Sequence, residues 1–482
     1  MTVALKTLLD RLPASTKVVG DRDVSVTNVE IDSRKVRPGS LFVAVRGEHV
    51  DGHDFITAAI ANGATAVVAQ KSNIAPSSTT LVYVPDSRRA LSSIAAAFYG
   101  NPSHALDVLG VTGTNGKTTT THMIAAILNA AGRKCGIIGT VGAQLDRMGW
   151  ELSNTTPLPP ELHDLLAQMR DRGAQAVAME VSSHALALDR VEDIRFRSGV
   201  LTNITRDHLD FHETLEAYAA AKRRLFMMSE TAVINIDDEH GARWAGEIRR
   251  KIPTLTYSLK GNADLVATDI EIDSKESRFK VDGKPITLLV PGRFNISNAL
   301  AAMGVARHLG IPYETIERAL WTIASVPGRM EYVGDNIVHA IVDYAHTPDA
   351  LYQALWALRE ATNGVSLVFG CGGDRDRGKR AEMGRIAAEH ARRIYVTSDN
   401  PRSEDPMTII TEIERGIGDR PHVVEPDRKR AIERAIEEAS PGEIVLIAGK
   451  GHEKYQIVGN QTLPFDDAEV ARSAIRARRL RK

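Results

Sequence analysis

Short runs of β-branched and apolar residues alternate along this chain with stretches whose apolar positions recur at helical spacing. Near the start, 24–31 alternates as a strand, and 41–45 follows after the turn Arg37-Pro38-Gly39-Ser40. Residues 55–63 read as a helix, 64–69 and 81–84 as strands, and 88–99 as a further helix. Gly100-Asn101-Pro102-Ser103 is turn chemistry and marks a linker. Strands are then predicted over 105–111, 174–181, 198–201 and 232–235, with a helix over 218–227. Hairpin-like alternation covers 281–294, and Asn295 opens a small-residue helix through 306, with capping as its plain role. Strands over 337–342, 365–369, 393–397 and 443–448 complete the pattern. Strands alternating with helices predict α/β architecture, with mostly parallel sheets covered on both faces. The breaks divide the 482 residues into 1–102, 103–327 and 328–482, about the three domains this length allows.

One stretch carries more chemistry than the rest: residues 109–121, Leu-Gly-Val-Thr-Gly-Thr-Asn-Gly-Lys-Thr-Thr-Thr-Thr. A buried strand turns there on glycines into a helix with Met123, Ile124, Ile127 and Leu128 on its apolar face. Glycines let backbone N–H groups close on phosphate oxygens, and the helix N-terminus adds a favourable partial charge. Lys117 is spaced to reach the outer phosphates, and the Thr118 hydroxyl to ligate Mg2+. The common pattern has glycine five residues before Gly116; here Val111 stands there, with Gly110 and Gly113 nearby. The cradle is therefore a shortened Gly-x-x-Gly-Lys-Thr. A plain glycine turn ending the strand is the alternative.

Charge works by exclusion. Sixty Lys and Arg against 61 Asp and Glu leave a net charge of −1, which argues against a polyanion-wrapping protein and leaves charged small molecules open. The two cysteines, Cys135 and Cys371, can build neither a disulfide framework nor a cysteine zinc site, and suit a reducing cytoplasm. Residues 1–20 are interrupted by Lys6, Asp10, Arg11 and Lys17 and do not read as a signal peptide, and no apolar run is long enough to span a bilayer.

In open parallel sheets, ligands bind beyond the carboxyl ends of the strands. Glu180 ends one strand, before Ser182-Ser183-His184, and another runs into 202–210 with Asp207 and His208. Glu180 and His208 are thus expected beside a nucleotide and its metal, a carboxylate being a hard-oxygen partner for Mg2+. Solvated loop polarity is the alternative for Asp207, His208, Asp210 and His212, a surface lysine for Lys222, and a surface turn for Asp32-Ser33-Arg34. In the last segment four strands feed charged loops: 343–349, 370–380, Asp399-Asn400-Pro401-Arg402 and Gly449-Lys450-Gly451-His452-Glu453. Gly449-Lys450-Gly451 is too short for a second cradle.

Together these motifs resemble the Mur ligases, which build the peptide stem of bacterial cell-wall precursors. The resemblance covers essentially the whole chain. It implies a small N-terminal α/β domain for the uridine nucleotide, a central P-loop-type domain with a mostly parallel sheet, and a C-terminal Rossmann-like α/β domain. Asp399-Asn400-Pro401-Arg402 is the most specific motif. The family's lysine-adding members differ at its last position, and Arg402 implies the branch that adds meso-2,6-diaminopimelate to UDP-N-acetylmuramoyl-L-Ala-D-Glu.

The resemblance also implies roles for matching positions. Gly113, Thr114, Asn115, Gly116, Lys117, Thr118 and Thr119 would hold ATP, with Asn298, Arg329 and Asp343 on the nucleotide side. Ile31, Ser33, Glu48, His49 and Val50 would contact the uridine nucleotide. Asn154, Thr155, Thr156, Ser182 and Arg190 would contact the muramoyl dipeptide, and Leu188 stands where the family carries a glutamine contact. Arg375, Asp399, Asn400, Pro401, Arg402, Gly449 and Glu453 would hold diaminopimelate. Thr118, Glu180, His208 and Lys222, the last as N6-carboxylysine, would serve two Mg2+ ions.

The family transfers the ATP γ-phosphoryl group to the D-glutamate carboxylate, and an amine then displaces phosphate from the acyl phosphate. Bringing ATP to a carboxylate is repulsive, so Lys117 and the metals would neutralise the encounter. Domain closure would shield the intermediate from water. The expectation is a cytoplasmic, monomeric ligase of peptidoglycan synthesis with no nucleic-acid partner and no membrane insertion. Rivals are the lysine-adding relative, disfavoured by Arg402, and a folylpolyglutamate synthase-like ligase, disfavoured by the N-terminal nucleotide domain. A nucleotide-driven switch is the rival from another class. It predicts hydrolysis that no muramoyl peptide stimulates.

Overall fold

The structure is a computed structural model that describes residues 1–47, 50–70, 78–273, 276–323, 326–334, 338–362 and 364–480. Its class is the one expected, α/β with large and mainly parallel sheets. The chain builds two compact units, Met1–Gly110 with Arg133–Gly199 and Ala221–Thr231, and Val111–Gly132 with Val200–Ala220 and Ala232–Lys482. Among the described residues no helix is long and apolar enough to cross a membrane.

The first unit begins with a five-stranded sheet. Asn28–Glu30, Ser40–Val43, Ala66–Ala69 and Thr80–Tyr83 run parallel, and Lys17–Val19 adds an antiparallel edge. The central strands are buried and mostly apolar because both faces are covered. Leu41, Val43, Val68 and Val82 pack with Leu8, Leu91 and Ile94, while Phe42 and Val67 pack with Ile56 and Ala59 on the other side. The same unit carries Met148–Trp150, Gly142–Leu145, Cys135–Gly139 and Ala176–Glu180, in that order across the sheet. Ala176–Glu180 lies parallel to Cys135–Gly139. The helix Pro159–Asp171 buries Leu162, Leu165, Leu166 and Met169 among Ile138, Val177 and Met179.

In the second unit, Ala232–Asn235, Thr254–Ser258 and Leu265–Val266 are parallel neighbours. The long helices Lys117–Ala130 and Arg293–His308 belong to this unit. A six-stranded sheet follows, ordered Glu331–Tyr332, His339–Asp343, Ile444–Ala448, Val365–Phe369, Arg393–Val396 and Val423–Val424. All its pairs are parallel except the first. The carboxyl ends of four of these strands therefore point the same way, and the charged loops read from the sequence cluster there.

Several expected elements are corrected. The hairpin expected over 281–294 lies earlier, as Ser277–Val281 paired with Lys284–Leu288. It turns on Asp282 and Gly283, at φ 51° and 76°, the positive pair a two-residue hairpin requires. Phe294 and Asn295 lie inside the helix Arg293–His308, so Asn295 does not cap it; its amide donates to the Pro291 carbonyl at 2.7 Å. The helix expected at 218–227 starts at Leu215 and tightens into a 3-10 turn over Arg224–Met227. Gly52–Phe55 is likewise a 3-10 turn before the helix Ile56–Ala61, and 24–31 divides into Ser25–Val26 and Asn28–Glu30.

Candidate active site

The glycine turn is a built cradle. Gly113 has φ 148°, and a Cβ there would lie 1.8 Å from the Thr202 hydroxyl; at Gly116, φ 83°, it would lie 2.3 Å from Asn298 Oδ1. Only glycine fits either position. Gly110 is not part of the cradle. It lies within the strand Asp107–Thr112, against the Phe196 ring and Leu225. The loop is pinned from one side by Thr202 Oγ1 donating to the Asn115 carbonyl (2.6 Å) and by Asn203 Oδ1 accepting from Asn115 N–H (2.9 Å). Lys117, first residue of its helix, folds back so that Nζ donates to the carbonyls of Gly113 (3.0 Å) and Thr114 (2.8 Å). The ammonium thus sits over the loop that phosphates would occupy. Asn298 accepts from Thr120 at 3.4 Å.

Arg329 Nη2 donates to Thr118 Oγ1 at 2.9 Å, and its guanidinium lies 4.5 Å from the Tyr344 ring centroid. Asp343 ends its strand beside it, accepting from Met330 N–H at 2.7 Å. Burial pushes its carboxyl above the ordinary value, against the pull of Arg329. Asn115 Nδ2 donates to Asp349 at 2.8 Å. Asp207 is the focus of a cationic field. Burial would raise its carboxyl, yet His208, His346, Lys379 and Lys117 together hold it below the usual value. Burial pushes the His346 imidazole down to about 4, so the positive charge near neutral pH comes chiefly from Lys117 and Lys379, and beside a phosphate-type loop it favours a polyanionic ligand. His208 itself sits at φ 52°, just ahead of the short helix Leu209–His212.

The dipeptide candidates form a second group, in the first unit. Thr156 Oγ1 donates to the Glu180 carbonyl (2.8 Å) and accepts from Ser182 N–H (3.0 Å), and Arg190 Nη1 donates to the Thr156 carbonyl (3.0 Å). Thr155 meets the Thr140 hydroxyl at 3.0 Å. Asn154 lies half-buried on the same loop. The Glu180 carboxylate is buried and takes Thr140 N–H (2.9 Å) and its hydroxyl (3.1 Å). Among the described residues no ion pair reaches it, and a buried carboxylate with only neutral donors suits a divalent cation. Lys222 is also buried, not the solvated lysine of the alternative reading. Among the described residues no cluster of three or more His, Cys, Asp or Glu is preassembled for a metal.

Ser33 is buried at the start of a 3-10 turn capped by Asp32, and its carbonyl accepts from Asn62 at 2.9 Å. Ile31 is half-buried and Val50 exposed, while Glu48 and His49 lie outside the described residues.

In the last segment, Asp399, Asn400, Pro401, Arg402, Gly449 and Glu453 come together. Asn400 Nδ2 donates to Glu453 Oε2 at 2.8 Å. A Cβ on Gly449 would lie 2.6 Å from Asp399 Oδ2. Arg402 takes a left-handed backbone, φ 53°. It is held there by N–H to the Ile457 carbonyl and by Gly459 N–H to its own carbonyl. Asp399, although in the same motif, does not hold the Arg402 fork: Nη1 donates to the Gly373 carbonyl at 2.8 Å, and among the described residues Arg402 has no carboxylate partner. A backbone carbonyl aims the fork and leaves its charge uncommitted. Arg375 is exposed and, among the described residues, bonds only the neighbouring Asp374 carbonyl.

Comparison with known proteins decides the family. Residues 25–99, 111–306 and 328–451 match, in order, models described as Mur ligase family, catalytic domain; Mur ligase middle domain; and Mur ligase, glutamate ligase domain. A UDP-N-acetylmuramoyl-L-alanyl-D-glutamate–2,6-diaminopimelate ligase of Alkaliphilus metalliredigens is 44% identical over 466 residues, covering 95% of this chain and 94% of the relative. The chain belongs to the Mur ligase family. A ligase of the same name from Chlorobaculum tepidum is 46% identical over 464 residues, 92% of this chain and 91% of that one. A solved structure of another UDP-N-acetylmuramoyl-L-alanyl-D-glutamate–2,6-diaminopimelate ligase superposes with a TM-score of 0.70 at 33% identity, covering 99% and 100% of the two chains. At 21% identity, a MurF ligase of Thermotoga maritima in complex with ADP shares the fold (TM-score 0.65, 95% and 99% covered).

Within this Mur ligase, sequence reasoning missed Lys450. It was set aside as part of a short glycine motif, yet its side chain is fully buried between Asn400 and Glu453. Two flanking glycines hid it, since they signal a turn rather than a packed cation. The buried ion pair Arg428–Asp467 was also missed. It ties the Ser398 and Ala448 carbonyls, at the ends of two site-bearing strands, to one guanidinium.

Proposed function

We propose that this protein is an ATP-dependent ligase that joins meso-2,6-diaminopimelate to the D-glutamate carboxylate of UDP-N-acetylmuramoyl-L-alanyl-D-glutamate in peptidoglycan precursor synthesis. The observation that carries this reading is the end-to-end identity, 44–46%, to ligases of that name, joined to Arg402 at the end of Asp399-Asn400-Pro401-Arg402.

A free carboxylate is a poor electrophile. Transfer of the ATP γ-phosphoryl group makes it an acyl phosphate, and attack by the diaminopimelate amine expels phosphate and leaves the amide. Lys117, on the cradle, stabilises the negative charge of the moving phosphoryl group. Arg329 and Asp343 orient the nucleotide, and Asn298 closes over Gly116. Arg190, Thr155, Thr156 and Ser182 orient the acceptor carboxylate. Arg402 grips the far carboxylate of diaminopimelate, which lysine lacks, while Glu453, bonded by Asn400 Nδ2, faces its amino end.

Thr118, Glu180, His208 and a carboxylated Lys222 would hold Mg2+, which when bound screens the phosphate charge. The donors fit such a hard cation: a hydroxyl, a buried carboxylate without a cationic partner, and oxygens of a carbamate. The domain division 1–102, 103–327 and 328–482 assigns uridine nucleotide, ATP and amino acid to successive segments. The test is ADP release: it should require both the muramoyl dipeptide and diaminopimelate. Release that neither stimulates would make the protein a nucleotide-driven switch instead.

A further inference from the structure

We propose that Lys450 is a positioning residue of the amino-acid subsite, fixing Asn400 and Glu453 in the orientation that receives the diamino acid. The inference rests on the functional reading above. Lys450 Nζ lies 2.9 Å from Asn400 Oδ1, 3.0 Å from Glu453 Oε2 and 3.9 Å from Asp399 Oδ1. The side chain is fully buried, and the ammonium lies 5.5 Å from the Tyr455 ring centroid.

Two consequences follow from this geometry. Asn400 Oδ1 accepts from Lys450 and also from Ile457 N–H at 2.9 Å. With two donors on its oxygen the amide cannot flip, so Nδ2 must face Glu453 Oε2, where it bonds at 2.8 Å. Glu453 Oε2 is thereby occupied twice. Among the described residues Oε1 takes no hydrogen bond, and it is the oxygen left for a ligand ammonium. The second consequence is electrostatic. Asp399 and Glu453 are nearly buried carboxylates flanking one ammonium. The buried Arg428, which also feels both carboxylates, is matched by its own partner Asp467, so Lys450 keeps Asp399 and Glu453 tolerable in the free enzyme yet leaves one net negative charge in the cluster. A ligand bringing one ammonium completes the balance. Lys450 therefore acts through Asn400 and Glu453 and touches no reacting atom.

The test uses the full-length enzyme and Lys450→Met, which keeps length and apolar stem while removing charge and donors. Michaelis constants are measured for diaminopimelate, ATP and the muramoyl dipeptide, with a thermal melt to confirm the fold. Removing one partner of a buried charge pair predicts a rise in the diaminopimelate KM on the order of thirty-fold or more. The other two should stay within about threefold, the scatter expected where no contact changes. Lys450→Ala should recover part of its diaminopimelate affinity on titration with n-propylammonium, which refills the space with a donor-bearing cation, and not with tetramethylammonium. An unchanged diaminopimelate KM in the folded methionine variant overturns the proposal, as do three constants rising together or equal rescue by tetramethylammonium. If the methionine variant does not fold, the alanine variant refolded with n-propylammonium decides, and failure of the amine to restore either fold or KM counts against it. Wild-type enzyme without a diaminopimelate-dependent product would instead sink the functional reading; wild-type product with an unaffected Lys450→Met sinks this inference alone.

Discussion

Arg329 donates to the hydroxyl of Thr118 at 2.9 Å. Phosphate-binding glycine loops normally leave this hydroxyl to a nucleotide's metal; here a guanidinium 211 residues away holds it. The same group stacks over Tyr344. Arg329 therefore links the cradle to the start of the last segment and brings a second cation beside Lys117. Arg329→Lys keeps the charge but loses the planar fork that bonds and stacks at once. It should raise the KM for ATP about tenfold, one hydrogen bond to a charged group, and leave that for diaminopimelate unchanged. Steady-state kinetics with each substrate varied in turn checks this.

Lys117→Ala should abolish product while leaving the melt unchanged, since this half-buried lysine at the start of its helix carries little stability. Losing one such group costs on the order of 3–4 kcal/mol, or hundreds-fold in rate. Near-normal turnover would remove the cradle from the mechanism.

Lys222 is buried, as a carbamate serving a metal would be. Lys222→Ala should lose activity, and added short carboxylic acids such as acetate should restore part of it by returning an oxygen donor. Intact mass of the native enzyme under CO2, 44 Da above the bare chain by simple addition of CO2 (about the mass a carbamate adds), is the direct check.

Arg402 has its fork aimed by the Gly373 carbonyl and its charge uncommitted. Arg402→Ala should raise the diaminopimelate KM by roughly thirty-fold to several-thousand-fold, about 2–5 kcal/mol for one lost partner of an enclosed charge pair. The ATP KM should change little. If ATP takes the whole effect, Arg402 does not set specificity.

Glu404, two residues on, supports the same loop. Arg380 bonds both its oxygens, at 2.8 and 3.0 Å, and holds its carboxyl near 2, below its ordinary 4.5. A folded-state value below the unfolded one stabilises the protein above about pH 4.5. That contribution is lost as pH falls from 4.5 toward 2. The difference in urea midpoint between wild type and Glu404→Gln should therefore be largest above pH 5 and shrink through this window. A constant difference would show that the ion pair carries no linked stability.

Much of this was legible in the sequence, for physical reasons. Strands such as Ala232–Asn235 and Val365–Phe369 are buried on both faces, mostly apolar and bounded by turn residues, so they matched their expected limits. The glycines at 113 and 116 were readable because their conformations and close contacts exclude every other residue. The hairpin over 277–288 was misplaced because its Asp282-Gly283 turn was passed over for later alternation. Lys450, Arg428 and the contact of Arg329 with Thr118 were not legible. Each depends on residues tens to hundreds of positions apart meeting at strand ends, which no local pattern encodes.

The central claim is the reaction itself. Purified protein is given ATP, Mg2+ and UDP-N-acetylmuramoyl-L-alanyl-D-glutamate, with either meso-diaminopimelate or L-lysine, and the product is read by mass spectrometry. The account predicts an ATP-dependent product heavier by one diaminopimelate residue, with lysine incorporated roughly a hundredfold less efficiently or worse, as expected where an arginine placed for a carboxylate is left without one. Equal or preferred incorporation of lysine, or ATP hydrolysis with no new nucleotide-linked peptide, would contradict it.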